Sequence, residues 1–78
     1  MYTVFEVQIN GELDPAKLEA YSRAVQMTAT ERHDSNTEVC LFFSSHSDEL
    51  RDLLEADPSV ITYRDVGIAD EYGRIARG

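Results

Sequence analysis

The side chains able to carry chemistry in this chain are few, and their spacing does not gather them. His33 sits in the polar stretch "HDSN" and His46 in "SSHSDEL", each in loop chemistry. A metal site or a general base needs convergent partners, yet the sequence has no His-x₃-His and no Cys-x-x-Cys spacing. Both histidines therefore read as solvated or capping residues. Cys40 is the lone cysteine, inside the apolar run "VCLFF". There a thiol acts as a small hydrophobe, and its closest charge, Glu38, is an anion that disfavours a reactive thiolate. Asp48, Glu49, Asp52 and Glu55 punctuate one helical face, where solvation is the expected role. Tyr63 and Tyr72 could line a small pocket, although packing explains them better. The sequence holds no glycine-rich phosphate loop and no nucleophile elbow. This reading assigns no catalytic residue, no metal site and no cofactor.

Charge says more. Fifteen acidic residues face seven basic ones, a formal net charge of −8, and Lys17 is the only lysine among them. Nucleic-acid affinity comes largely from clustered cations that neutralise phosphates, and this chain has no such cluster. Direct DNA contact is not expected. An acidic surface nearly free of lysine suits a cytoplasm of very high salt, where the Debye length falls to about 3 Å and self-repulsion is screened. The longest apolar run is the five residues "VCLFF", too short to span a membrane. The N-terminal "MYTVFEVQIN" lacks the charged and apolar regions of a signal peptide. With one cysteine and no disulfide framework, a cytoplasmic protein is expected.

Seventy-eight residues make a single domain, 1–78, near the lower limit for a self-supporting core. In "TVFEVQI" (3–9), Phe5, Val7 and Ile9 alternate with Glu6 and Gln8, the pattern of a half-buried strand. Asp14-Pro15 reads as an N-cap followed by proline in the first helical turn, with Leu18, Tyr21, Ala24 and Val25 as the buried stripe. A hairpin follows, strands 25–32 and 37–43 about the "HDSN" turn. Ser45 or Ser47 caps a second helix, whose buried stripe is Leu50, Leu53 and Leu54 and whose end is marked by Ala56 and Pro58. "VITYRDVGI" is a strand whose alternation slips near Arg64-Asp65, which predicts a bulge. "RIARG" forms a short final strand. The order β, α, β, β, α, β predicts a ferredoxin-like α+β sandwich: an antiparallel sheet, two helices on one face, and room for an extra C-terminal hairpin strand.

Residues 37–77, and above all "ELRDLLEADPSVITYRDV" with its closing hairpin, resemble the N-terminal regulatory domain of haloarchaeal transcription regulators of the bacterio-opsin activator type. In that family the domain precedes a helix-turn-helix, which these residues do not contain. The resemblance implies a non-enzymatic regulatory, protein-interaction or ligand-sensing domain. The alternative is a cofactor-independent enzyme similar to the small dimeric α+β barrels of the monooxygenase or muconolactone isomerase kind, which needs a polar cavity between helices and sheet. The inward positions, Phe5, Val7, Ile9, Leu41 and Leu53, are expected to fill that space. If Val39, Leu41 and Phe43 also face inward, alternation sends Cys40 and Phe42 to the open face with Val4. Val4, Cys40 and Phe42 are then the expected contact surface for a second copy or a neighbouring domain of a regulator.

Overall fold

The computed structural model describes residues 1–11, 15–34 and 36–76. Asp14, the expected cap of the first helix, lies outside them, as do Ser35 of the hairpin turn and Arg77 and Gly78 of the expected final strand. The elements run β1 (Tyr2–Asn10), α1 (Pro15–Tyr21), β2 (Met27–His33), β3 (Thr37–Ser44), α2 (Ser47–Ala56), β4 (Val60–Ala69) and β5 (Ile75–Ala76). The strands form one antiparallel sheet in the order β2-β3-β1-β4-β5. The class is thus α+β. β1 and β3 lie side by side at the centre, and β5 extends the sheet beyond β4, so the strand order differs from a four-stranded plan.

Register decides which side chains share a face. In an antiparallel pair, directly opposed residues point the same way. Phe5 opposes Phe42 and Val7 opposes Cys40. Those four residues join Ile9, Tyr21, Ala24, Leu50 and Leu54 in one buried cluster, so both helices cover this face. Val4 opposes Phe43 and Glu6 opposes Leu41. Val4, Leu41, Phe43 and Ala69 form a second buried cluster on the other face.

The expected facing of β3 is therefore reversed. Phe42 and Cys40 point to the helices, while Leu41 and Phe43 point away from them. The reason lies in the strand itself. Every residue from Glu38 to Ser44 is buried, so β3 has two apolar faces and its alternation carries no direction. Leu53 also departs from expectation: it is half-buried at the margin of the helix-side cluster, whereas Leu50 and Leu54 are fully buried.

The second face closes without a helix. Gly73, in the turn before β5, comes so near β2 that a Cβ on it would stand 3.1 Å from Met27 Cε. β2 and β5 are opposite edges of the sheet, so this approach means that the sheet curls over its own second face. Two bulges in β4 accompany the curl, at Val66 between the Val4–Gly67 and Phe5–Asp65 pairs and at Ile61 between the Gln8–Thr62 and Ile9–Val60 pairs. The first lies next to the slip anticipated at Arg64-Asp65; alternation does not foreshadow the second.

Two boundaries also shift. β2 begins at Met27, because Val25 donates its N–H to Tyr21 O at 2.9 Å in the helix exit. His46, not Ser45 or Ser47, is the N-cap of α2 and makes no side-chain cap bond. Ser44 Oγ instead accepts the His46 N–H at 2.9 Å.

Candidate functional site

Among the described residues, polar side chains meet most densely at Asp57, where α2 hands the chain to β4. The local sequence Asp57-Pro58-Ser59 shapes it. Proline cannot continue the helix, and a short carboxylate can bond the backbone two residues on, the usual Asx turn. Asp57 Oδ1 accepts from Ser59 N at 2.9 Å and from Ser59 Oγ at 2.7 Å. Two partners then arrive from α1. Tyr21 donates its hydroxyl to Asp57 Oδ2 at 2.7 Å, and Lys17 Nζ lies 3.2 Å from both carboxylate oxygens. One aspartate thus ties α1 to the α2–β4 turn.

The electrostatics follow from this crowding. Burial alone would raise the Asp57 carboxyl, but bonds from the Ser59 hydroxyl, the Tyr21 hydroxyl, the Ser59 amide and Lys17 outweigh it and hold the group well below the usual carboxylate range. Burial, the hydrogen bond to Asp57 and the charge of Asp57 together push the Tyr21 phenol well above its ordinary value. Asp57 stays ionised and Tyr21 stays protonated near neutrality, so this pair is not poised to exchange a proton. Beside it runs a groove of about 460 Å³, lined by Ala16, Lys17, Tyr21, Leu53, Asp57 and Pro58. On the other side of Asp57, Leu54, Glu55, Val60, Ile61 and Tyr63 line a second groove. There the Tyr63 hydroxyl bonds to Glu55, which raises the phenol before its smaller burial contributes.

The expected site residues separate. Tyr63 packs edge-on to Phe5, with centroids 6.0 Å apart, near the start of β4. Tyr72 lies beyond the end of that strand, 74% exposed, with Arg74 over its ring. The two do not share a pocket. His46 Nδ1 lies 3.1 Å from Ser45 Oγ, and exposed His33 opposes Glu38 in the β2–β3 register. Cys40 is buried against the helices; burial, then the charge and hydrogen bond of Glu38, push its thiol up to about 12. Thr30 Oγ1 donates to Glu38 Oε1 at 2.9 Å. On the exposed face of α2, Asp48 pairs with Arg51 at 3.5 Å and Glu49 with Arg23 at 3.9 Å.

The three residues expected at an interface, Val4, Cys40 and Phe42, are at most 1% exposed in the isolated chain. Val4 does lie on the face away from the helices, but the chain's own curl covers it. Cys40 and Phe42 lie on the opposite face, for the reason of register given above. Sequence reasoning missed Asp57 as a hub. Its local signal, Asp followed two residues later by Ser at a helix end, was present; its partners in α1 carried none.

Among the described residues no helix is long and apolar enough to cross a membrane, and no group of three or more His, Cys, Asp or Glu side chains is placed to hold a metal. No family model matches this chain, and no curated protein or solved structure is significantly similar to it.

Proposed function

We propose that this chain is a non-enzymatic regulatory or protein-interaction module, of the kind found ahead of the helix-turn-helix in bacterio-opsin activator-type regulators, and that it does not itself contact DNA. The observation that carries this reading is a division of labour on the surface. Asp57 and Glu55 use their carboxylates to join one element to another, and Asp70 uses its own to close a turn. Meanwhile Ile61, Ile68 and Met1, at 54%, 47% and 83% exposure, leave apolar side chains in solvent along β4 and beside it. Ile68 and Met1 border a small hollow with Ala76 and Arg74. Exposed apolar side chains that are grouped, as Ile68 and Met1 are, mark a contact surface more readily than a reaction centre.

Three further points support it. The sequence of the first four strands, with β3 beside β1 and both helices on one face, favours a ferredoxin-like sandwich with β5 appended. The space where an enzyme of the monooxygenase or isomerase type would hold substrate is filled by Phe5, Val7, Ile9, Phe42, Leu50 and Leu54. The charge of −8 with a single lysine favours a cytoplasm of high salt, where a second copy can meet this one through the exposed Ile68 and Met1.

Light scattering at about 100 µM tests the pairing, with about 2 M KCl present to screen the repulsion between two acidic chains. The expected result is a dimer for the parent and a monomer for Ile68→Glu. A parent that stays monomeric overturns self-association through this chain. Micromolar binding to a random duplex at low salt, read by fluorescence anisotropy, overturns the claim that DNA is not contacted. A melting temperature that does not rise with KCl overturns the high-salt setting.

A further inference from the structure

The second face of the sheet is sealed by a segment that is well ordered within itself and thinly attached to the rest. The turn after β4 is built around Asp70. Its Oδ1 accepts the amides of Tyr72 at 2.9 Å and Arg74 at 3.0 Å, and its Oδ2 accepts Arg74 Nε at 2.9 Å. The backbone closes the same loop, with Asp70 N donating to Arg74 O at 3.0 Å and Gly73 N to Asp70 O at 3.0 Å. Gly73, at φ 80°, supplies the left-handed residue that the turn needs. By contrast, among the described residues β5 meets β4 at two register positions, Ile68–Ala76 and Ala69–Ile75.

What this segment covers is a core of its own. Val4, Leu41, Phe43 and Ala69 are buried there, with Ile75 of β5 and Met27 of the far edge packed against them. The backbone of Gly73 reaches Met27, where a Cβ would stand 3.1 Å from Cε. No residue of either helix takes part among the described residues of that cluster.

We propose that residues 70–76 act as a strap: a preformed turn and short strand that swing from β4 as one unit, opening the second face while the helix-side core stays folded. Regions with few buried contacts open at lower free energy than the whole domain, and they open as contiguous units. Opening turns a buried apolar cluster into surface. The inference stands whether or not the chain is an interaction module.

The test uses one thiol on each side of the sheet of the full chain. Val4→Cys places a reporter under the strap, and native Cys40, buried among the helices, reports loss of the helix-side core. Under native conditions, with a thiol reagent and mass-spectrometric readout, position 4 is expected to react at least about tenfold faster than Cys40, a ratio that corresponds to separate opening. Urea well below the unfolding midpoint should speed labelling at Cys40, which needs the whole helix-side core to open, several-fold, and leave position 4 nearly unchanged. Equal rates at the two positions, or an equal dependence of the two rates on urea, overturn the strap. Leu41→Cys, on the same face, gives the same measurement where Val4→Cys proves too unstable to keep the fold.

Discussion

The two faces of this sheet bury similar side chains by different means. On one face two helices lie over Phe5, Val7, Ile9 and Phe42, and Asp57 fastens them through Tyr21 and Lys17, partners 36 and 40 residues away. On the other face the sheet covers itself, and Asp70 organises the cover through Tyr72 and Arg74, partners two and four residues away. The same chemistry, an aspartate accepting from amides and cations, is thus a tertiary clamp in one place and a local turn in the other. For a chain of 78 residues the second arrangement matters: it adds a buried cluster without the length of another helix. The proposed strap implies unequal cooperativity, with the helix-side core bound into the whole fold and the second core covered by a short hairpin.

The comparison breaks most visibly at adjacent residues on β3. Phe42→Ala removes an aromatic side chain from the helix-side core, where Tyr21 packs on it at 5.4 Å, and should cost about 3–5 kcal/mol. That equals the roughly 3–5 kcal/mol expected for so small a core, so most of the variant should be unfolded in the absence of urea. Phe43→Ala deletes the same group from the second face. There the strap and Met27 can settle into the space, so the loss should fall at the low end of the same range, about 3 kcal/mol, with a lowered urea midpoint and a retained transition. Equal losses at the two positions would show that the faces are equally integrated.

Tyr21→Phe tests the clamp alone. It removes one hydrogen bond to an ionised group and leaves the ring, so a loss of about 1.5–3 kcal/mol is expected. The acid limb gives a sharper readout. Asp57 is held below its ordinary carboxylate value, so its contribution is complete above about pH 4 and is lost progressively as pH falls further. Tyr21 is raised, so its contribution is complete below about pH 10 and is lost as pH rises beyond that. Tyr21→Phe should make both limbs shallower. An unchanged acid limb in urea titrations at several pH values would remove Asp57 from the account of helix packing.

Much of this architecture was legible from local pattern. The alternation in "TVFEVQI", the polar break at "HDSN" and the Leu50–Leu54 stripe locate the strands and helices, because each signal lies within the element it describes. The direction of β3 was not legible, since an apolar residue stands at every position from Val39 to Phe43 and only pairing with β1 chooses a side. The Asp57 hub was legible in part: its Asx turn is local, but Lys17 and Tyr21 meet it through tertiary packing. The curl was the least visible, because Gly73 and Met27 meet only after five strands have twisted together.

The smallest effect is expected at Arg74. Its Nε–Asp70 contact of 2.9 Å resembles a strong ion pair, yet the arginine side chain is 78% exposed and the aspartate 40%. Exposed pairs contribute about 0.2–1 kcal/mol, and salt weakens them further. The backbone bonds to Asp70 Oδ1 and from Gly73 N do not need the guanidinium, so Arg74→Ala should keep the turn in shape and move the urea midpoint only slightly. Asp70→Ala removes every bond of the turn that depends on the carboxylate, so it should lower the urea midpoint further than Arg74→Ala does. If the turn opens on its own, hydrogen exchange of the Ile75 and Ala76 amides should depend only weakly on urea below the midpoint, while amides at the centre of β1 and β3 show the full dependence of global unfolding. Should exchange at Val7 and Ile75 depend equally on urea, the Asp70 turn is as tightly coupled to the fold as the Asp57 clamp, and the distinction between the two faces fails.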